Sequence, residues 1–399
     1  MIAGCGGSSN GGGTGGGGTP TTVTYTFTGA TPTAVATRIG TGAYTQASLQ
    51  SGVLTLSIPS GTTDYSVAYV CPGLSGATSG VASGERVILA STQDSTSFSF
   101  ICAGPAVTGL GTATVQVNAA AISGTAYVFV GQYSQPWSGN TLSFSSEMLS
   151  GTRDVAVYAV DANSNALAVR ILRNQTIPGA LNSGNTVVFG ASDMTVPQTI
   201  TYNNVPSGFT APSTMVEYFA DGGTANLNIN ATSQYMAVPS SEVQSGDSYA
   251  FTALTNSTTT PNEFMSIQMP PGSSGGPLAI TFPAPWSYAG PTAAALPTFN
   301  FDYSGFSGTE NVTQSALINW GLGTESYSSI DVTASANYQK GATTVSIPDL
   351  SGIPGFIAPA PSGTTINWLA GIAQGVSLDS FLSSKTVSNI ENSGTYIEP

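Results

Sequence analysis

The chain has 399 residues, 40% apolar but only 7% charged, against about a quarter charged in an average soluble protein, so it can bury cores but must stay soluble on hydroxyls and amides. Its 20 acidic and 7 basic residues give a net charge of −13 with no basic stripe to offset it, which excludes a nucleic-acid partner. No apolar run reaches the roughly 20 residues of a membrane-spanning helix, and the lack of any histidine removes the commonest general base and a common metal ligand.

The chain opens MIAGCGGSSNGGGTGGGGTP. At Ile2–Cys5, IAGC sets an aliphatic residue and two small ones before a cysteine. These four residues resemble the lipobox of bacterial lipoproteins, whose cysteine is lipidated once a signal peptide is removed. The resemblance implies Cys5 as the lipidation site and a membrane partner reached through the lipid. It also implies an exported protein of the bacterial outer membrane or cell surface. The signal peptide itself, with its basic and apolar regions, is expected upstream of Met1. Gly6 in place of Asp resembles lipoproteins sent to the outer membrane. Residues 1–21 therefore read as a lipobox remnant and a disordered Gly-rich tether. About 14 such residues reach roughly 20 Å. The alternative is a disordered tail with an incidental cysteine.

Beyond the tether, period-2 alternation predicts short strands separated by Gly, Pro, Asn and Ser clusters. TVTYTFT places Val23, Tyr25 and Phe27 on one face. TAYVFVG, TLSFS, DVAVYAV, ALAVRIL and NTVVFG continue the pattern. Cys71 ends SVAYVC and Cys102 lies in SFSFIC. They read as a disulfide, which an exported protein permits, or else as two buried thiols.

Two landmarks recur in order. Strands open alike at Thr22 (TVTYTF), Thr112 (TATVQV), Thr199 (TITYNN) and Thr298 (TFNFDY), and a Ser-Gly step before another apolar strand follows each, at Ser60, Ser150, Ser245 and Ser362. The first two units place the step at the same distance from the opener, and the last is enlarged by insertion. The predicted fold is all-β, with four tandem β-sandwich domains at 22–106, 107–196, 197–292 and 293–399. Units of this size and strand number fit an immunoglobulin-like or transthyretin-like sandwich. The Ser-Gly-x-x-Asp-strand step also resembles carboxypeptidase-regulatory-like modules. Two larger β domains or one β-solenoid are the competing architectures.

The search for chemistry assigns no catalytic residue, no metal ligand and no cofactor. GSSGGP at Gly272–Pro277 resembles the nucleophile segment of chymotrypsin-like proteases, but Ser273 replaces its Asp and no imidazole exists to activate Ser274. A turn between two strands explains it better. DANSN at Asp161–Asn165 opens like a calcium loop but has Ala166 and Leu172 where that loop needs Gly and Glu, so a hairpin turn is expected. Glu217 and Asp221 are too far apart along a strand for a retaining pair of carboxylates. The candidate ligand-binding residues are aromatics in Pro/Gly/Ser loops: Tyr133 and Trp137 in YSQPWSGN, Trp286 and Tyr288 in APWSYAGP. Such rings can stack on sugars or plug a domain junction. The expected function is a lipid-anchored envelope protein projecting as a rod. Its role is structural or adhesive, without catalysis, toward glycans or other surface proteins. Carbohydrate binding through the loop aromatics and a role as an extracellular filament subunit are the alternatives.

Overall fold

The computed structural model describes residues 19–29, 31–71, 81–102, 110–220, 223–258, 262–272, 275–286, 288–304, 312–321, 327–374, 378 and 388–398. The tether with Cys5 lies outside them, as do Asp221, Ser273, Ser274 and Lys385.

The chain is all-β, and one strand order recurs four times. The first repeat comprises β1 (Thr21–Gly29), β2 (Ala34–Ile39), β3 (Thr45–Gln46), β4 (Val53–Ile58), β5 (Asp64–Cys71), β6 (Val81–Ser91) and β7 (Ser97–Cys102). The second comprises β8 (Leu110–Asn118), β9 (Tyr127–Val130), β10 (Tyr133–Pro136), β11 (Leu142–Leu149), β12 (Gly151–Val160), β13 (Ala166–Ile177), β14 (Gly179–Ala180) and β15 (Val187–Val188). The third comprises β16 (Val196–Asn203), β17 (Ser213–Ala220), β18 (Gly223–Ala231), β19 (Gln234–Ala237), β20 (Ser248–Asn256), β21 (Asn262–Gly272) and β22 (Leu278–Thr281). The fourth comprises β23 (Thr298–Asn300), β24 (Val312–Gly321), β25 (Tyr327–Ala334), the short helix α1 (Ala336–Gln339), β26 (Thr344–Ser346), β27 (Thr365–Gln374) and β28 (Ser388–Ile397).

Each repeat divides its strands between two sheets. The smaller sheets run β4-β1-β7, β11-β8-β14 with β15 also on β8, β19-β16-β22, and β23-β26. In the first three the opening strand is antiparallel to one neighbour and parallel to the other. The larger rows run β3-β2-β5-β6, β10-β9-β12-β13, β18-β17-β20-β21 and β25-β24-β27-β28. The four similar openers form β1, β8, β16 and β23. The four Ser-Gly steps lead into β5, β12, β20 and β27.

Alternation dictates the sandwich core. Val23, Tyr25 and Phe27 of β1 turn inward against Tyr65, Val67 and Tyr69 of β5, as period-2 side chains on a strand must. Cys71 and Cys102 are disulfide-bonded, with their Cα atoms 5.3 Å apart and 31 residues between them in sequence. The bond joins the end of β5 to the end of β7, and so ties the two sheets of the first repeat. Closing a loop of that length contributes about 3–4 kcal/mol in the chain-entropy picture.

The expectation of a rod of separate beads is corrected by the larger rows. Three of them join edge to edge into one 12-stranded sheet, β18-β17-β20-β21-β28-β27-β24-β25-β6-β5-β2-β3. Here β21 pairs antiparallel with β28, and β6 pairs parallel with β25. The fourth repeat thus sits between the third and the first. The edges pair although each carries charge, and Arg86 faces Asp331 across the β6–β25 seam at 3.2 Å.

The second repeat meets the third differently. Its β12 is buried on both faces: Val155, Val157 and Ala159 face its own core, whereas Ala156, Tyr158 and Val160 enter the core shared with the third repeat. The insertion of the fourth repeat packs onto the first. Arg38 donates to the Tyr338 hydroxyl at 2.6 Å, Asn337 to Asp94 at 2.7 Å, and Lys340 pairs with Asp64 at 2.8 Å.

Candidate functional site

Six of the seven cations are described, and most of them serve contacts between repeats. Arg38, Arg86, Arg173 and Lys340 each reach a residue of another repeat. Arg170 holds the buried Asp193 at 3.0 Å on the connection into the third. Arg153 is the exception, donating to the Ser150 carbonyl at 3.0 Å.

Arg173 stands at the centre of the densest cluster. It leaves β13 and pairs with Asp154 of β12 at 2.8 Å and with Asp247 of the third repeat at 2.6 Å. It also donates to the Glu242 carbonyl. Asp247 accepts further bonds from the Tyr218 hydroxyl and the Gln244 backbone. Burial alone would raise the Asp247 carboxyl, but the hydrogen bonds from Arg173, Tyr218 and Gln244 outweigh it and hold the group below its ordinary value. The bond from Asp247 raises Arg173 despite its burial, and desolvation raises Tyr218. The guanidinium is thus fully engaged between two carboxylates, and the cluster carries one net negative charge.

A cleft of about 490 Å³ opens beside this cluster, lined by Asp154, Arg173, Asn174, Phe219, Gln244 and Asp247 among others. The backbone of Asn174 adopts a left-handed conformation (φ 51°) and its N–H donates to Asp154 at 2.8 Å. On β17, Thr214, Val216, Tyr218 and Ala220 turn inward and are buried. Phe219 projects from the opposite face, half-buried, and belongs to none of the hydrophobic cores of the described residues. Its neighbour on that face, Glu217, has its carboxyl pushed up by burial.

The aromatics picked out in the sequence do not converge on this cleft. Trp286 and Tyr288 are 4% and 8% exposed, which corrects their placement as open stacking platforms. Their rings stack on one another at 4.8 Å, Trp286 also lies on Phe301 at 5.6 Å, and Tyr288 meets Trp368 edge-on at 5.5 Å. The Trp286 backbone is clamped by Glu263 of the third repeat at 2.6 Å and by Asn392 of the fourth at 3.0 Å. Gly290, at φ +98°, lies so close that a Cβ there would meet Trp368 at 2.7 Å. The segment therefore plugs the junction of the third and fourth repeats. Tyr133 is exposed and its hydroxyl donates to the Glu147 carbonyl. Trp137 is half-buried against the second core.

Asp161 makes the expected hairpin, accepting from the Asn163 and Asn165 backbones at 2.8 Å each and from the Asn165 side chain at 2.9 Å. In GSSGGP, a Cβ at Gly275 would meet the Tyr249 hydroxyl at 2.7 Å, so close packing requires glycine there. Beyond Asp154, Asp193 and Asp247, two further buried acids escaped the sequence reading. Glu85 of β6 and Glu263 of β21 each lie on a seam with the fourth repeat, and desolvation pushes each carboxyl up to about 7. Glu85 accepts one bond, from the Ile357 N–H at 3.2 Å, and its other oxygen has no partner. Among the described residues no group of three or more His, Cys, Asp or Glu side chains is placed to hold a metal ion.

No protein-family model matches this chain, and no curated protein matches its sequence.

Proposed function

We propose that the protein is an exported, lipid-anchored component of a bacterial cell envelope, with a structural or adhesive role and no catalysis. The Cys71–Cys102 disulfide carries this reading, because such bonds persist in oxidising compartments outside the cytosol. The lipobox-like IAGC and the glycine tether after it support attachment through Cys5. Repeated sandwiches joined into one broad sheet suit a protein that presents surface, and most of the cations described above are engaged in holding repeats together.

Metabolic labelling with a clickable fatty acid in the producing cell tests the anchor. The wild-type chain is expected to carry the label and to sediment with membranes. Cys5→Ser should lose both properties. A wild-type chain without label, or a variant that keeps it, overturns the reading.

A further inference from the structure

The cleft between the second and third repeats has the chemistry of a small-ligand site. We infer that it binds a neutral carbohydrate, with one sugar ring stacked on Phe219 and its hydroxyls bonded by Asn174, Gln244 and Ser245 at the rim. Its volume of about 490 Å³ lies within the range of small-molecule sites.

The floor is fixed. Arg173, Asp154 and Asp247 hold one another at 2.6–2.8 Å, so their positions are set before any ligand arrives and no ordering is required of them. The rim supplies what the floor withholds. The side chains of Asn174, Gln244 and Ser245 are exposed there, and amides and hydroxyls both donate and accept, as alternating sugar hydroxyls require. Phe219 offers a ring that none of the cores of the described residues uses, and sugar C–H faces pack on such rings.

Charge selects among ligands. Among the described residues the one cation lining the cleft already serves two carboxylates, leaving one net negative charge on the floor. A phosphate, sulfate or uronate would be repelled with no free guanidinium to receive it. An apolar ligand would strip water from the rim amides and leave them unpaired. A neutral polyhydroxyl compound meets neither penalty.

The inference gives the adhesive reading a ligand class. It is tested on the purified protein without reference to lipidation, so the failure of one is distinguishable from the failure of the other. Saturation-transfer NMR and titration against glucose, galactose, mannose, N-acetylglucosamine, maltose and chitobiose should identify at least one binder. Glucuronic acid should bind more weakly than glucose. Phe219→Ala is expected to weaken binding roughly 3- to 10-fold, and Phe219→Ala with Asn174→Gly, which keeps the left-handed backbone, to abolish it, with thermal unfolding unchanged. Trp137→Ala, away from the cleft, should bind as the wild type does. No binding by any neutral sugar at tens of millimolar overturns the proposal. So does full binding by the double variant, or glucuronic acid binding as well as glucose.

Discussion

Neighbouring repeats meet in two ways. The second and third meet face to face through side chains, and there the chain places Arg173 between two buried carboxylates. The fourth meets the third and the first through backbone ladders, β28 on β21 and β25 on β6. A ladder pairs its own N–H and C=O groups, so it can be built from Ser, Thr, Asn and small apolar residues. A face-to-face contact that buries carboxylates has no such internal supply and needs a guanidinium with several donors. This explains how a chain with 7 cations can join so much structure.

The largest expected effect falls on the side-chain junction. Arg173→Met leaves Asp154 and Asp247 buried without a cation, and stability measured by urea unfolding should fall by about 3–5 kcal/mol. A loss below about 1 kcal/mol would show that apolar packing on β12, not the charge cluster, holds that junction.

The ladders should respond to pH instead. Glu85 and Glu263 titrate near 7 in the folded chain against an ordinary value of 4.5. Between these values the folded state holds a proton that the unfolded state has released. The contribution of each group is therefore complete below pH 4.5 and is lost as pH rises to about 7, on the order of 3 kcal/mol each. The difference in urea stability between wild type and Glu85→Gln, followed from pH 4.5 to 8, should trace this loss. A difference that stays flat across the window would mean that the acid is solvated at the seam.

The smallest effect is expected at Lys340. Its pair with Asp64 is largely exposed, with 57% of the lysine side chain open, so Lys340→Ala should change stability by less than about 0.5 kcal/mol. A larger loss would mean that the insertion depends on charge for its docking on the first repeat.

Local features of this architecture were legible in the sequence. TVTYTFT and TLSFS alternate because one face of each strand is buried, and the recurring openers and Ser-Gly steps fell on corresponding strands. The disulfide partners followed from two cysteines at the ends of apolar strands. Lateral pairing was not legible. Nothing in VASGERVILAS says that β6 will lie beside β25, because ladder bonds are made by a backbone common to all residues. A partial signal existed in VAVYAV, whose unbroken apolar run marks a strand buried on both faces. Arg170 and Arg173 within one apolar strand were another, given so few cations. The aromatics misled because a Pro/Gly loop does not reveal which way its rings turn. The cleft was invisible because its walls come from β12, β13, β17 and the segment before β20, which only the folded chain brings together.

The parallel pairing of β6 with β25 has a consequence for biogenesis. A strand finished early in synthesis has its partner edge made only after the second and third repeats have been synthesised. Until then the first repeat would wait with an unpaired edge that carries Glu85 and Arg86. The disulfide that ties the two sheets of this repeat limits how far the waiting edge strand can unravel from its own sandwich.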